Sequence, residues 1–217
     1  MLHQRTLDLC FAALLPVNKI NDWRWRLFPP RANGSGIHLH LGCGPKYLPG
    51  GVNVDGNVFR RHDLWLDLRN GLPFAPNSVA SVYSSHVFEH FYPDELERLI
   101  AACHRVLRPG GGMRIVVPDM AAAVRAYLAG DARFFSDFAR PCSSLGGKLS
   151  NLLFCEGGHR QGLDFSYFQE LLLHAGFAEV LRFEPGASTI YSGEALARIP
   201  REEAGVDFLS LIVECRK

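Results

Sequence analysis

The feature that most constrains this chain is a short apolar run, Ile37 to Leu41, that ends directly on Gly42-Cys43-Gly44-Pro45. A strand that breaks on two glycines one residue apart lets the backbone turn with positive φ. It also lets a ligand come closer than any Cβ would allow. In an open α/β sheet the first such turn lies nearest the ligand crevice, outside the carboxyl ends of the strands. Alone, the turn is compatible with a purely structural role.

The segments that follow supply a context. Gly51–Asp55, His62–Leu68 and Val79–Ser84 read as strands two to four, each bounded by turn residues. From Asp94 to Leu107 the apolar residues Leu96, Leu99, Ile100, Cys103, Val106 and Leu107 recur at helical spacing. Pro109 to Gly112 stop that helix, and Met113–Val117 reads as a fifth, buried strand. A helix is expected over Met120–Leu128, and no element is assigned from there to Gly162. Asp164 or Ser166 caps a helix to about His174, with Gly176 at its end. Ala178–Phe183 and Phe208–Glu214 read as the last strands. This alternation predicts an α/β, Rossmann-like, doubly wound sheet of seven strands, mostly parallel, with an antiparallel last strand.

Two carboxylates strengthen the loop reading. Asp55 ends the second strand eleven positions after Gly44, where it can accept both hydroxyls of a ribose. Asp67 follows in Trp65-Leu66-Asp67-Leu68, placed for an adenine amino group while Leu68 covers the ring. Each, taken singly, is also compatible with a capping or turn role.

Taken in order, Leu41-Gly42-Cys43-Gly44-Pro45, Asn53-Val54-Asp55, Leu72-Pro73-Phe74, Val82 to His90 and Leu107-Arg108-Pro109-Gly110-Gly111 resemble the class I S-adenosylmethionine-dependent methyltransferases. Within that superfamily the chain is similar to a bacterial branch of small methyltransferases often associated with surface-polysaccharide genes. The resemblance covers residues 37 to 120 well and extends more loosely to Gly158-His159-Arg160 and Leu172 to Phe177. It implies S-adenosylmethionine as cofactor, held by Leu41, Gly42, Cys43, Gly44, Pro45, Asp55, Asp67, Leu68, Ser84 and Ser85. It departs from the wider superfamily at His40, where an acidic residue is usual, and in the span Gly44–Gly51, which is too short for the usual first helix.

Methyl transfer needs placement of a nucleophile, exclusion of water and sometimes a base. His86 and His90, at the end of strand four, are candidate bases because imidazole titrates near neutral pH; Glu89 is placed to orient one of them. His159, beside Arg160 in the unassigned stretch, is a third candidate. His86-Val87-Phe88-Glu89-His90 also spells H-x-x-E-H, a zinc pattern. It is set aside because it follows a buried strand directly and lacks an evident third ligand, so no metal is expected. Phe134, Phe135 and Phe138 read as core.

The balance of 23 basic and 22 acidic residues offers no field for a polyanion, so nucleic acid is not an expected partner. A small-molecule or glycan acceptor is favoured, and homo-oligomerisation is compatible with the sequence. Six cysteines without a C-x-x-C pair fit a reducing, cytoplasmic setting. The run Leu7–Val17 is too short to span a bilayer. Residues 1–35 read as a helical arm and linker, and 36–217 as the cofactor-binding domain. Alternating Trp and Arg at 23–26 leave open a membrane-surface contact through residues 1–31. Two other functions compete: a scaffold that binds cofactor without transfer, and an NAD-type oxidoreductase. The latter normally has a third loop glycine where Leu48 stands.

Overall fold

The computed structural model describes residues 13–14, 16–17, 19–21, 23–25, 27–28, 36–193, 199 and 210–217. Seven strands form one sheet: β1 (Ile37–Leu41), β2 (Val52–Asp55), β3 (Leu64–Trp65), β4 (Val79–Ser85), β5 (Leu107–Pro118), β6 (Ala178–Phe183) and β7 (Ser210–Arg216). Their order is β3-β2-β1-β4-β5-β7-β6. The pairs from β3 through β5 are parallel, while β7 runs antiparallel to both β5 and β6. The expected seven-stranded, mostly parallel sheet with an antiparallel last strand is thus the observed one.

Four helices complete the described frame: α1 (Pro93–Val106), α2 (Met120–Leu128), α3 (Leu145–Phe154) and α4 (Phe165–His174). α1 buries Leu96, Leu99, Ile100, Cys103 and Val106, the stripe its 3.6-residue period dictates. Asp164 caps α4 by accepting from the Tyr167 N–H at 2.9 Å, which decides between the two expected caps. The stretch left unassigned contains α3, capped by Ser144 Oγ, which accepts from the Gly147 N–H at 3.1 Å.

The largest differences from the expected boundaries are at β3 and β5, while β7 ends at Arg216 rather than Glu214. β3 is two residues long rather than the expected His62–Leu68, because Asp67 turns to cap a 3₁₀ turn at Leu68–Asn70. β5 begins at Leu107, six residues before the expected Met113: Pro109-Gly110-Gly111 do not separate helix from strand but lie inside an irregular, extended start of the strand.

The two faces of the sheet are covered differently. One carries the main core, where Phe88, Leu99, Ile100, Phe168 and Leu172 are fully buried among the strands. On the other, a smaller cluster of Tyr83, Val116, Ile199 and Ile212 packs with Leu48 and Tyr191. The chain there is tied down by a buried pair: Arg114 Nη1 donates to Glu214 Oε1 at 2.7 Å, and Glu214 Oε2 accepts from Thr189 N–H at 2.7 Å. Ion pairs sealed from water persist when their remaining lone pairs are also bonded, as here. Of the three phenylalanines read as core, Phe135 is buried against Ala123 and Ala126, Phe134 packs beside it, and Phe138 is exposed.

Residues 1–12 and 29–35, and with them the proposed arm boundary at 35/36, fall outside the described residues. The described positions between 13 and 27 are helical. There Trp25 packs against the main core and the Asn21 amide donates to the Trp65 carbonyl. Ile20 and Trp23 are exposed. No described helix is long and apolar enough to cross a membrane.

Candidate functional site

The strand order reverses between β1 and β4, so the crevice outside their carboxyl ends is where this architecture accepts a ligand. Leu41 and Ser84 are register partners there, and Ser84 Oγ donates to the Leu41 carbonyl at 3.2 Å. Both side chains are buried. The loop after β1 turns through Gly42 at φ +63° and Gly44 at φ +51°. The two glycines serve different ends. A Cβ on Gly42 would stand 2.3 Å from Val87 Cγ2, so this glycine lets the loop pack against the end of β4. A Cβ on Gly44 would meet nothing within 4 Å; its Cα faces open space.

Asp55 closes the loop from the side. Its Oδ2 accepts from the Gly44 N–H at 2.6 Å and its Oδ1 from the Asn57 N–H at 2.7 Å. Each carboxylate oxygen keeps a further lone pair. Cys43 is buried, and its thiol is pushed up to about 12, chiefly by burial, which makes it inert as a nucleophile. Pro45 is exposed. His40, at 4% exposure, meets Asn53 Oδ1 through Nδ1 at 3.2 Å, and burial holds its pKa below 6.5. It therefore enters the site as a neutral ring.

The second acidic position is organised otherwise. Both oxygens of Asp67 are engaged by Arg69: Nε donates to Oδ1 at 2.9 Å and Nη2 to Oδ2 at 2.7 Å. Leu68 is buried in the main core. Arg69 carried no weight in the sequence reading, although an arginine two residues after a turn aspartate is a recognisable pairing.

Beyond Ser85, β4 gives way to a tight turn. His86 adopts φ +54°, unusual for a residue with a side chain, while its N–H donates to the Val116 carbonyl at 2.8 Å. The 3₁₀ turn Phe88–His90 then turns Glu89 inward, to 1% exposure, and leaves His86 and His90 exposed. The i, i+4 histidine pair of a zinc helix does not form, since residues 86 and 87 are not helical.

A third histidine arrives from elsewhere in the chain. After α3, Cys155 and Glu156 take φ +43° and +53°, and the turn through Gly157 swings His159 back to the end of β4. Arg160 N–H donates to the Glu89 carbonyl at 2.8 Å, which fixes the approach. His90 and His159 rings pack edge to face with centroids 5.1 Å apart. His86 Nδ1 stands 3.3 Å from Glu89 Oε1, and His159 Nε2 stands 3.9 Å from the same oxygen. Burial pushes the Glu89 carboxyl up, but His86, with His90 and His159 behind it, outweighs burial and holds it below 4.5. Burial, offset in part by Glu89, holds His159 below 6.5.

The three candidate histidines therefore lie together around one buried carboxylate. The sequence reading gave Glu89 an orienting role and missed Gln161, which lines a cavity of about 10 Å³ with Glu89 and His159.

A family model described as a methyltransferase domain matches residues 60–115, from the approach to β3 into β5 and thus past the glycine loop. No curated protein matches the chain. Among solved structures, a SAM dependent methyltransferase from Archaeoglobus fulgidus is 14% identical, with a TM-score of 0.50 over 92% of this chain and 94% of that one. An S-adenosylmethionine dependent methyltransferase from Mesorhizobium loti is 17% identical, with a TM-score of 0.50 over 91% and 98%. The fold is accordingly the α/β Rossmann-like methyltransferase fold.

Proposed function

We propose that this chain is an S-adenosylmethionine-dependent methyltransferase acting on a small-molecule or glycan acceptor. The observation that carries the reading is Gly44, a positive-φ glycine whose missing Cβ leaves open space beside a carboxylate at the switch point of the sheet. The family-model match supports it independently, because residues 60–115 do not include that loop, and the structural neighbours share the fold.

In this reading Leu41, Gly42, Cys43, Gly44 and Pro45 form the cradle, and Asp55 accepts the ribose hydroxyls on the lone pairs its backbone donors leave. Asp67 and Leu68 stand toward the adenine end, with Asp67 held by Arg69. Ser84 and Ser85 form the floor. When bound, the cofactor supplies an activated sulfonium methyl group. His86 acts as the base: it is exposed to an incoming acceptor, and Glu89 faces its Nδ1, leaving Nε2 to take the acceptor's proton. Ser210 Oγ lies 3.2 Å from that Nε2, and its hydroxyl holds the lone pair until an incoming acceptor displaces it. His90 and His159 lie behind it and act on the Glu89 side. The described cysteines are all free, which supports a reducing, cytoplasmic setting.

The test is single-turnover transfer from labelled cofactor into acceptor extracts. His86→Ala should lower the transfer rate by about a hundredfold or more while cofactor-product affinity stays within about threefold, because a general base acts only as the proton leaves. Transfer at the parental rate would remove His86 as the base.

A further inference from the structure

The end of β4 gathers hydrogen-bond acceptors without donors to match. Glu89 is 1% exposed, and among the described residues neither of its oxygens accepts a hydrogen bond. His86 Nδ1 stands 3.3 Å from one of those oxygens, and two further histidines lie beside it, fixed from behind. His90 Nδ1 lies 2.9 Å from the Gly158 carbonyl, and His159 Nδ1 lies 2.8 Å from the Leu152 carbonyl. A carbonyl oxygen only accepts, so each Nδ1 carries the proton, and in the neutral ring each Nε2 presents a lone pair. Gln161 repeats the pattern: its Nε2 donates to the Phe91 carbonyl at 3.0 Å, and its Oε1 is buried with no partner.

One ligand atom each from Glu89, His90 and His159 lies within 4.8 Å of the others. Lone pairs turned on one another repel, and a buried carboxylate faced only by imidazoles, with no well-aligned hydrogen bond, is costly to hold. A cation at their centre reverses both effects. A cavity of about 10 Å³ borders Glu89, His159 and Gln161 beside this cluster, enough for one water-sized occupant, although His90 does not line it. His90 is exposed and leaves a path from solvent.

We propose that Glu89, His90 and His159 bind one divalent transition-metal cation, with Zn²⁺ the best match to two imidazoles and a carboxylate. Magnesium and calcium favour oxygen donors throughout and fit this set poorly. Histidine ligands whose second nitrogen is held by a backbone carbonyl are the usual outer-shell arrangement of a metal site. Closure requires modest side-chain movement: ligand atoms on a tetrahedral ion with bonds of about 2.0–2.1 Å stand about 3.3 Å apart. Glu89 and His90 share one short turn, and His159 sits beside Gly157 and Gly158, so the backbone at this point offers that freedom. The objection raised by the sequence, the lack of a third ligand, is removed by His159, 69 positions further on than His90. The site adjoins the proposed base through Glu89, which also faces His86 Nδ1, but His86 is not among its ligands.

The experiment titrates ZnCl₂ into tag-free protein that has been stripped with a chelator and exchanged into chelator-free buffer, read by calorimetry and by melting temperature. One zinc per chain is expected, with a melting temperature that climbs with free zinc, as binding to the native state requires. His90→Ala and His159→Ala should each weaken binding by a hundredfold or more, beyond the roughly 10–100-fold that loss of an outer-shell partner costs. His174→Ala, on α4, should bind like the parent. A stripped parent that takes up no zinc, or His90→Ala and His159→Ala variants that bind as the parent does, would overturn the proposal. Because a variant can fail to fold, Co²⁺ on the unaltered protein gives a second reading: a visible d–d absorption that Zn²⁺ displaces supports the site, and its absence at saturating Co²⁺ overturns it.

Discussion

The glycine loop and the histidine cluster lie side by side at the ends of β1 and β4, yet they are built on opposite principles. In the loop, every element is close in sequence and the polar groups satisfy one another: Asp55 accepts the N–H groups of Gly44 and Asn57 before any ligand arrives. In the cluster, residues about 70 positions apart converge on a carboxylate that no hydrogen bond reaches. The first is a preorganised surface against which a ligand is laid. The second is a buried charge held by the electrostatics of the histidines around it and open to a cation. A fold can carry both because the loop contributes stability that the cluster gives up, the exchange commonly seen between scaffold and reacting site.

The largest expected effect breaks the loop side of that comparison. Gly42→Ala should cost about 2–5 kcal/mol, combining an overpacking cost of 1–3 with a positive-φ cost of 1–2. Gly44→Ala meets open space and should cost only the second part, about 1–2 kcal/mol, while reducing affinity for S-adenosylhomocysteine far more than its stability loss suggests. Urea denaturation of the two variants separates the roles; equal stability losses would mean that Gly44 also serves packing.

Next in size, Asp55→Ala should weaken S-adenosylhomocysteine by about 1.5–3 kcal/mol, or ten- to hundredfold, measured by calorimetry. It should also lower the melting temperature, since two backbone N–H groups lose their acceptor. Lowered stability with unchanged affinity would confine Asp55 to holding the loop.

The smallest effect sharpens the other side. In the presence of chelator, Glu89→Gln should melt at or above the parental temperature, because it replaces a buried charge to which no hydrogen bond is donated. A drop of several degrees would show that the carboxylate is satisfied in the folded protein and that the contrast drawn above is false.

How much of this was legible in the sequence follows from the same contrast. The positive-φ turn at Gly42 and Gly44 and the strand-ending Asp55 were legible because both leave local marks, and α2 and β6 match their expected spans, with α1 displaced by one residue, because their periods are clean. Asp67 was legible as a carboxylate just after the third strand but not as one engaged by Arg69, since the two-residue spacing serves a turn and a ligand equally well. The early start of β5 was hidden by Pro109 and three glycines, which read as a stop although an irregular strand tolerates them. His159 was a candidate only by type. What joins it to Glu89 is the left-handed backbone at Cys155 and Glu156, residues that carry no sequence signal for that conformation.

The central claim, that the crevice at Gly44 and Asp55 takes S-adenosylmethionine, is tested most directly by calorimetry of the unaltered protein with S-adenosylhomocysteine and, separately, with NAD. The account predicts saturable binding of one S-adenosylhomocysteine per chain and none of NAD under the same conditions. Binding of NAD with no response to S-adenosylhomocysteine would contradict it and return the loop to the oxidoreductase reading.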